Sequence, residues 1–365
     1  MSTSNRRYDI DWVRVIAIGL LLIYHAAIGF QPWGIMIGFI TTETPWVSLW
    51  TPMTMLNIWR IPLLFFVSGM GVYFAIQNRT WKELLLERAG RILLPFLFGM
   101  FVIVPIGVYI WQYYYDWDLT YSHSPGHLWF LGNIFVYVVV LSPIFFYLKK
   151  NETGKLARGI RRLLGTPLGL IPVFTAFVAE ALLINPRPYE LYAVTWHGFF
   201  LGLLAFFCGF CFVLSGRPFW EMILKWRWLF LLTAVALYVF RITQLQQFAP
   251  GYLLAIESVC WIISVFAFAF KYLNRPSRAL NYLSQAAYPV YILHMIFLYI
   301  GSWLIFPLAI PAPVQFILVL AFTFVGCSAV YELIVRRVNI IRPLFGLKRK
   351  ETVSSHPGID SRVSN

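Results

Sequence analysis

The stretch IDWVRVIAIGLLLIYHAAIGF, residues 10–30, decides the fold. Apart from Asp11, Arg14 and His25 it is apolar, and at ~1.5 Å per residue it is long enough for a hydrocarbon core of ~30 Å. An ionisable side chain inside such a span is disfavoured by roughly 2.5 kcal/mol or more, so it is rare and tends to be functional. At ~100° per residue, the eleven steps from Arg14 to His25 return to within about 20° of the same face. The two then lie roughly 16 Å apart along the axis. Asp11, one turn before Arg14, shares that face and can pair with it. The stripe therefore runs from an ion pair at one membrane surface to an imidazole deep inside. A polar helix–helix contact would account for a lone histidine; three aligned titratable groups point to function.

Composition extends the reading to the whole chain. Of 365 residues, 60% are hydrophobic and 12% charged, with a mean hydropathy of +0.72, far from the soluble norm of about 25% charged. Ten apolar runs are expected to span, near 11–31, 53–76, 92–114, 128–148, 167–185, 198–215, 229–248, 252–272, 284–305 and 314–335. The first lacks the pattern of a cleavable signal and is expected to remain as a span. The expectation is an all-α polytopic membrane protein, multi-pass in the plasma (inner) membrane. A single transmembrane domain would cover 1–345, and 346–365 would form a basic, polar, disordered tail. The C-x-x-C of Cys208 and Cys211 lies in FFCGFCF without nearby histidine, so the pair reads as small lipid-buried residues.

Basic residues set the orientation. With a cytoplasmic N-terminus, all but Arg14, Arg60, Arg187 and Arg241 of the 29 lysines and arginines fall on the inner side. That bias, with an even number of spans, places both termini in the cytoplasm. The net charge of +14 is then membrane-surface electrostatics, spread over every inner loop, and does not suggest nucleic-acid binding.

Several further motifs carry ionisable groups. In NIWRIPLLFFVSGMGVYF (57–74), Arg60 is expected near the outer surface, and Ser68-Gly69 falls mid-membrane, where small residues let helices approach. In LLLERAGRILLP (84–95), Arg88 and Arg91 project from one face of a helix start. The positive end of the dipole reinforces them as a phosphate cradle, although ordinary inner-side flanking explains them too. SHSPGHLWFLGNIFVY (122–137) sets His123 and His127 at the outer surface with Trp129 at the interface. SQAAYPVYILHMIFLY (284–299) buries His294 behind Pro289, which should kink or break its helix. Taken alone, His294 reads as core packing.

The ordered set D-x-x-R, ten residues, His; PLLFFVSG; R-x-x-R before LLP; HLWFL; and YPVYILH resembles the acyltransferase-3 family of integral-membrane acyltransferases, from about residue 8 to 300. The resemblance implies O-acyl transfer, commonly of acetyl or succinyl, from cytoplasmic acyl-coenzyme A to a hydroxyl of an extracytoplasmic glycan or other sugar. It is similar to the glucan-modifying branch. Arg14 and His25 match the first-span motif, and Arg88 and Arg91 the R-x-x-R.

On that basis Arg88 and Arg91, with Ser68 and Arg14, would hold the coenzyme, and no metal is called for. The thioester arm would enter between helices toward His25, a suitable general base. Asp11 would shape the inner end by pairing with Arg14. Arg60, His127, Trp129 and His294, and more loosely Asp116 and Asp118, would receive the sugar. Glu180, Arg241, Glu257 and Glu332 also need partners in or near spans, and a Glu257–Arg241 pair between spans seven and eight is expected. These buried charges motivate the alternative of a proton-coupled secondary transporter or flippase. Against it stand the lack of internal repeat and of any need in a carrier for a double-Arg cradle aligned with a buried histidine.

Overall fold

Apolar segments in lipid close every backbone N–H and C=O inside one helix. The computed structural model describes residues 6–245 and 249–350, and among them the regular elements are all helical. Ten helices are long and apolar enough to cross a membrane: α1 (Tyr8–Ile28), α2 (Val47–Ile76), α3 (Trp81–Tyr114), α4 (Gly126–Lys150), α5 (Pro167–Ile184), α6 (Trp196–Leu214), α7 (Arg227–Leu245), α8 (Gly251–Tyr272), α9 (Arg278–Ile305) and α10 (Ala312–Val335). The chain is an all-α polytopic membrane protein.

Most spans begin and end within a few residues of expectation. α3 does not: it starts at Trp81, not near 92. A capping box fixes that start, with Glu83 N–H donating to Thr80 Oγ1 at 3.4 Å and Thr80 N–H to Glu83 Oε2 at 2.8 Å. The charged turns KELLLERAGR continue the helix past the stretch that hydropathy detects. Two π-helical segments interrupt α3, Ala89–Leu93 and Gly99–Ile103, each followed closely by a proline. α9 runs unbroken through Pro289, so the expected break is absent.

A proline inside a helix leaves the carbonyl four residues earlier without its donor. At three such prolines a hydroxyl supplies the replacement. Pro62 frees Ile58, whose oxygen accepts from Ser258 at 2.8 Å and Tyr192 at 3.1 Å. Pro105 frees Phe101, which accepts from Tyr121 at 3.0 Å. Pro143 frees Val139, which accepts from Ser142 at 3.1 Å.

The most extensive interface joins α2 to α6. A Cβ at Gly69 would stand 1.9 Å from the Phe206 carbonyl oxygen, and one at Gly209 would stand 2.0 Å from that of Phe66. Only glycine fits at either point. Thus the small pair at 68–69 does bring two backbones together, through Gly69. Ser68 donates to Leu64 of its own helix at 2.7 Å.

The two ends of the bundle differ. One carries the loops rich in arginine and lysine, with two short amphipathic helices, Lys155–Leu164 and Arg217–Lys225. Arg7 pairs with Asp9 at 2.6 Å and covers the Trp220 ring at 3.7 Å, fastening the start of α1 to this end. Residues 346–350 are not a free tail: Lys350 N–H donates to Asn339 Oδ1 at 2.7 Å, and Arg342 Nε to the Lys348 carbonyl at 2.7 Å. Residues 351–365 lie outside the described residues. At the other end a large cavity opens.

Candidate active site

His25 sits in the last turn of α1 and His294 in the middle of α9, and α1 packs against α9. Their rings lie 13° from parallel, with His25 Nδ1 2.8 Å from His294 Nε2. The protons follow from the partners. His294 Nδ1 lies 2.6 Å from the Tyr291 carbonyl oxygen, which can only accept, so in the neutral ring that nitrogen carries the proton. His294 Nε2 is then a lone pair and accepts from His25 Nδ1–H. His25 is left with Nε2 as its basic atom.

His127, at the start of α4, completes the group. Its ring meets His294 edge-on, 4.8 Å between centroids. Its Nε2 donates to the Ile292 carbonyl at 3.1 Å, and Tyr291 Oη donates to the His127 carbonyl at 2.5 Å. His127 is therefore turned inward, not displayed at the surface, whereas His123 is exposed. Trp129 is buried as well. Arg60 departs furthest from expectation: it is fully buried on α2, its guanidinium 4.4 Å from the centroid of the Tyr24 ring.

His25, Arg60, His127 and Trp129 line one cavity of about 2120 Å³, together with Trp33, Trp50, Trp111, Tyr299 and the connection 185–193 between α5 and α6. Asp116 and Asp118 are exposed and do not line it. Three cavity-lining side chains carry buried donors without a hydrogen-bond partner among the described residues: Arg60, Trp111 Nε1 and Tyr189 Oη. Burial, reinforced by Glu180 and Glu190, holds the Tyr189 phenol well above its ordinary pKa, so it stays a hydroxyl donor. His197 was not singled out in the sequence. Behind Tyr189, its Nδ1 lies 2.8 Å from Glu180, both residues buried, which gives Glu180 its partner.

The remaining candidates lie at the basic end. Asp11 pairs with Arg14 at 2.5 Å, as the spacing suggests, and with Arg6 at 2.9 Å. Arg14 is three helical turns from His25 and does not touch it. Arg88 and Arg91 gather with Arg79 around Glu87, at 3.9, 3.0 and 3.7 Å. Arg88 also reaches the Gly71 carbonyl at 3.5 Å, and its Nε has no hydrogen-bond partner among the described residues. The expected Arg241–Glu257 pair is present and bidentate, at 2.8 and 3.0 Å. Among the described residues no group of three or more His, Cys, Asp or Glu is disposed to hold a metal ion.

An imidazole pair, of which His25 lines the cavity and His294 does not, lies inside a ten-span bundle. The chain matches the acyltransferase-3 family, described as an acyltransferase domain, over residues 7–332. It belongs to that family and is a membrane acyltransferase. No curated protein and no solved structure matches it.

Proposed function

We propose that the protein transfers an acyl group, acetyl or succinyl, from acyl-CoA to a hydroxyl of a sugar or glycan acceptor bound in the cavity. The observation that carries this is the contact of His25 Nδ1 with His294 Nε2 at 2.8 Å beside a cavity that His25 lines, from which His25 Nε2 follows as the base. The acceptor hydroxyl gives its proton to that atom as its oxygen attacks the thioester carbonyl, and the proton then passes to the departing thiolate. His294 orients the base. The cavity suits a sugar because both aromatic side chains and unpartnered donors line it. The coenzyme phosphates would meet Arg88, Arg91 and Arg14 at the basic end, where guanidinium groups suit phosphate. The positive-inside bias supports a cytoplasmic placement of that end, with the cavity on the opposite side. The carboxylates that motivated a carrier all have partners, Glu257 with Arg241, Glu180 with His197 and Glu332 with Arg336, which favours the enzyme.

The test is thermal stabilisation of the detergent-purified protein by a panel of acyl-CoAs. A donor at about 100 times its Kd stabilises the fold by roughly 2.7 kcal/mol. The shift should vanish in Arg88→Ala and survive in His25→Ala, which should bind donor without transferring it. If no acyl-CoA raises the melting temperature, or if His25→Ala turns over like the wild type, the reading fails.

A further inference from the structure

Two buried arginines face the same cavity and are treated differently by the fold. Arg241 is locked to Glu257 by two hydrogen bonds. Arg60 has no surface exposed, and its Nε, Nη1 and Nη2 all lack a hydrogen-bond partner among the described residues. One face of its guanidinium is covered by Tyr24, the residue adjacent to His25. Burying a charge without hydrogen bonds is unfavourable unless a ligand completes it. Arg60 and His25 line the same cavity, and Tyr24 links them, its ring centroid 5.8 Å from that of His25 and 4.4 Å from the guanidinium.

We infer that Arg60 is a catalytic residue that receives the negative oxygen formed during acyl transfer. This rests on the acyl-transfer reading above. As the acceptor oxygen bonds to the thioester carbonyl carbon, the carbonyl π pair moves onto its oxygen and His25 Nε2 takes the hydroxyl proton. The oxyanion points at the guanidinium N–H groups. When the tetrahedral centre collapses, the pair returns, the C–S bond breaks, and the thiolate takes the proton from His25. Acyl ester and free thiol result, with no other reactant. The guanidinium, closed off in the free protein, meets the oxyanion once substrate is seated, and the low-dielectric surroundings strengthen the contact. The fold thus keeps Arg60 unsatisfied in the ground state and satisfies it where the barrier lies.

The experiment compares the full-length wild type with Arg60→Met and Arg60→Lys in detergent. Acetyl-CoA and succinyl-CoA serve as donors and a glucose oligosaccharide as acceptor. Melting temperature, donor affinity and single-turnover thiol release are read together. Arg60→Met should melt higher, because an unpaired buried charge is gone. Its transfer rate should fall about 10²–10³-fold with every donor the wild type uses, while donor affinity stays within about threefold. Arg60→Lys should recover part of the rate. Transfer within about tenfold of wild type in Arg60→Met would overturn the proposal. So would a lowered melting temperature, which marks a structural brace, and so would a loss confined to succinyl-CoA and read as weaker binding, which marks a carboxylate site. A wild type that binds none of the donors and releases no thiol defeats the acyl-transfer reading itself, whatever Arg60 does.

Discussion

A neutral histidine whose Nδ1 proton is committed to a backbone carbonyl has one way left to meet a second imidazole. His294 is in that position, and the consequence runs on to the reactive atom of His25. His294→Leu should remove the acceptor that holds His25 Nδ1–H and lower single-turnover transfer on the order of 10²-fold, with donor affinity kept. His294→Gln offers an amide oxygen in its place and should restore part of the rate. Equal losses in both variants would show that packing, not proton placement, is what His294 supplies. Its role was not legible from spacing, because 269 residues separate the partners and no periodicity reaches so far. Arg60 was misplaced for a different reason. Hydropathy starts the span near 53, whereas the helix begins at Val47, so a residue read as near the outer surface lies well inside.

At the scale of elements, α7 is joined to α8 by the Arg241–Glu257 pair and α2 is tied in through Arg241 Nη2, 3.3 Å from the Thr54 carbonyl. Removing one partner strands the other. Glu257→Gln should cost about 3–5 kcal/mol in denaturant unfolding, and a double Arg241→Met, Glu257→Leu variant should recover most of it. A double variant as unstable as the single one would assign the pair a role beyond charge compensation. The spans themselves were readable, since hydropathy over about 20 residues reports the requirement that makes them helical. The start of α3 was not, being set by a capping box and an amphipathic turn. Nor was the continuity of α9 through Pro289: a proline removes a donor, but neighbouring contacts decide whether the helix breaks.

Across the whole molecule, charge divides the bundle into a basic end and a cavity end, and that division implies an orientation. In sealed right-side-out vesicles, a cysteine introduced as Leu119→Cys, exposed between α3 and α4, should react with a membrane-impermeant thiol reagent. Leu156→Cys, equally exposed on the basic amphipathic helix, should be protected until the membrane is opened. The reverse pattern would turn the protein over and place the arginine cluster outside. The four native cysteines are free, three of them buried, so they interfere little with such labelling.

The reciprocal glycine contact between α2 and α6 has a mechanical consequence. Two backbones touching at Gly69 and Gly209 can neither slide nor rotate past each other without collision. This pair is therefore the stator of the molecule. Whatever displacement admits or releases a substrate falls to the helices around it, and spectroscopic labels on α2 and α6 provide fixed rulers for measuring that displacement.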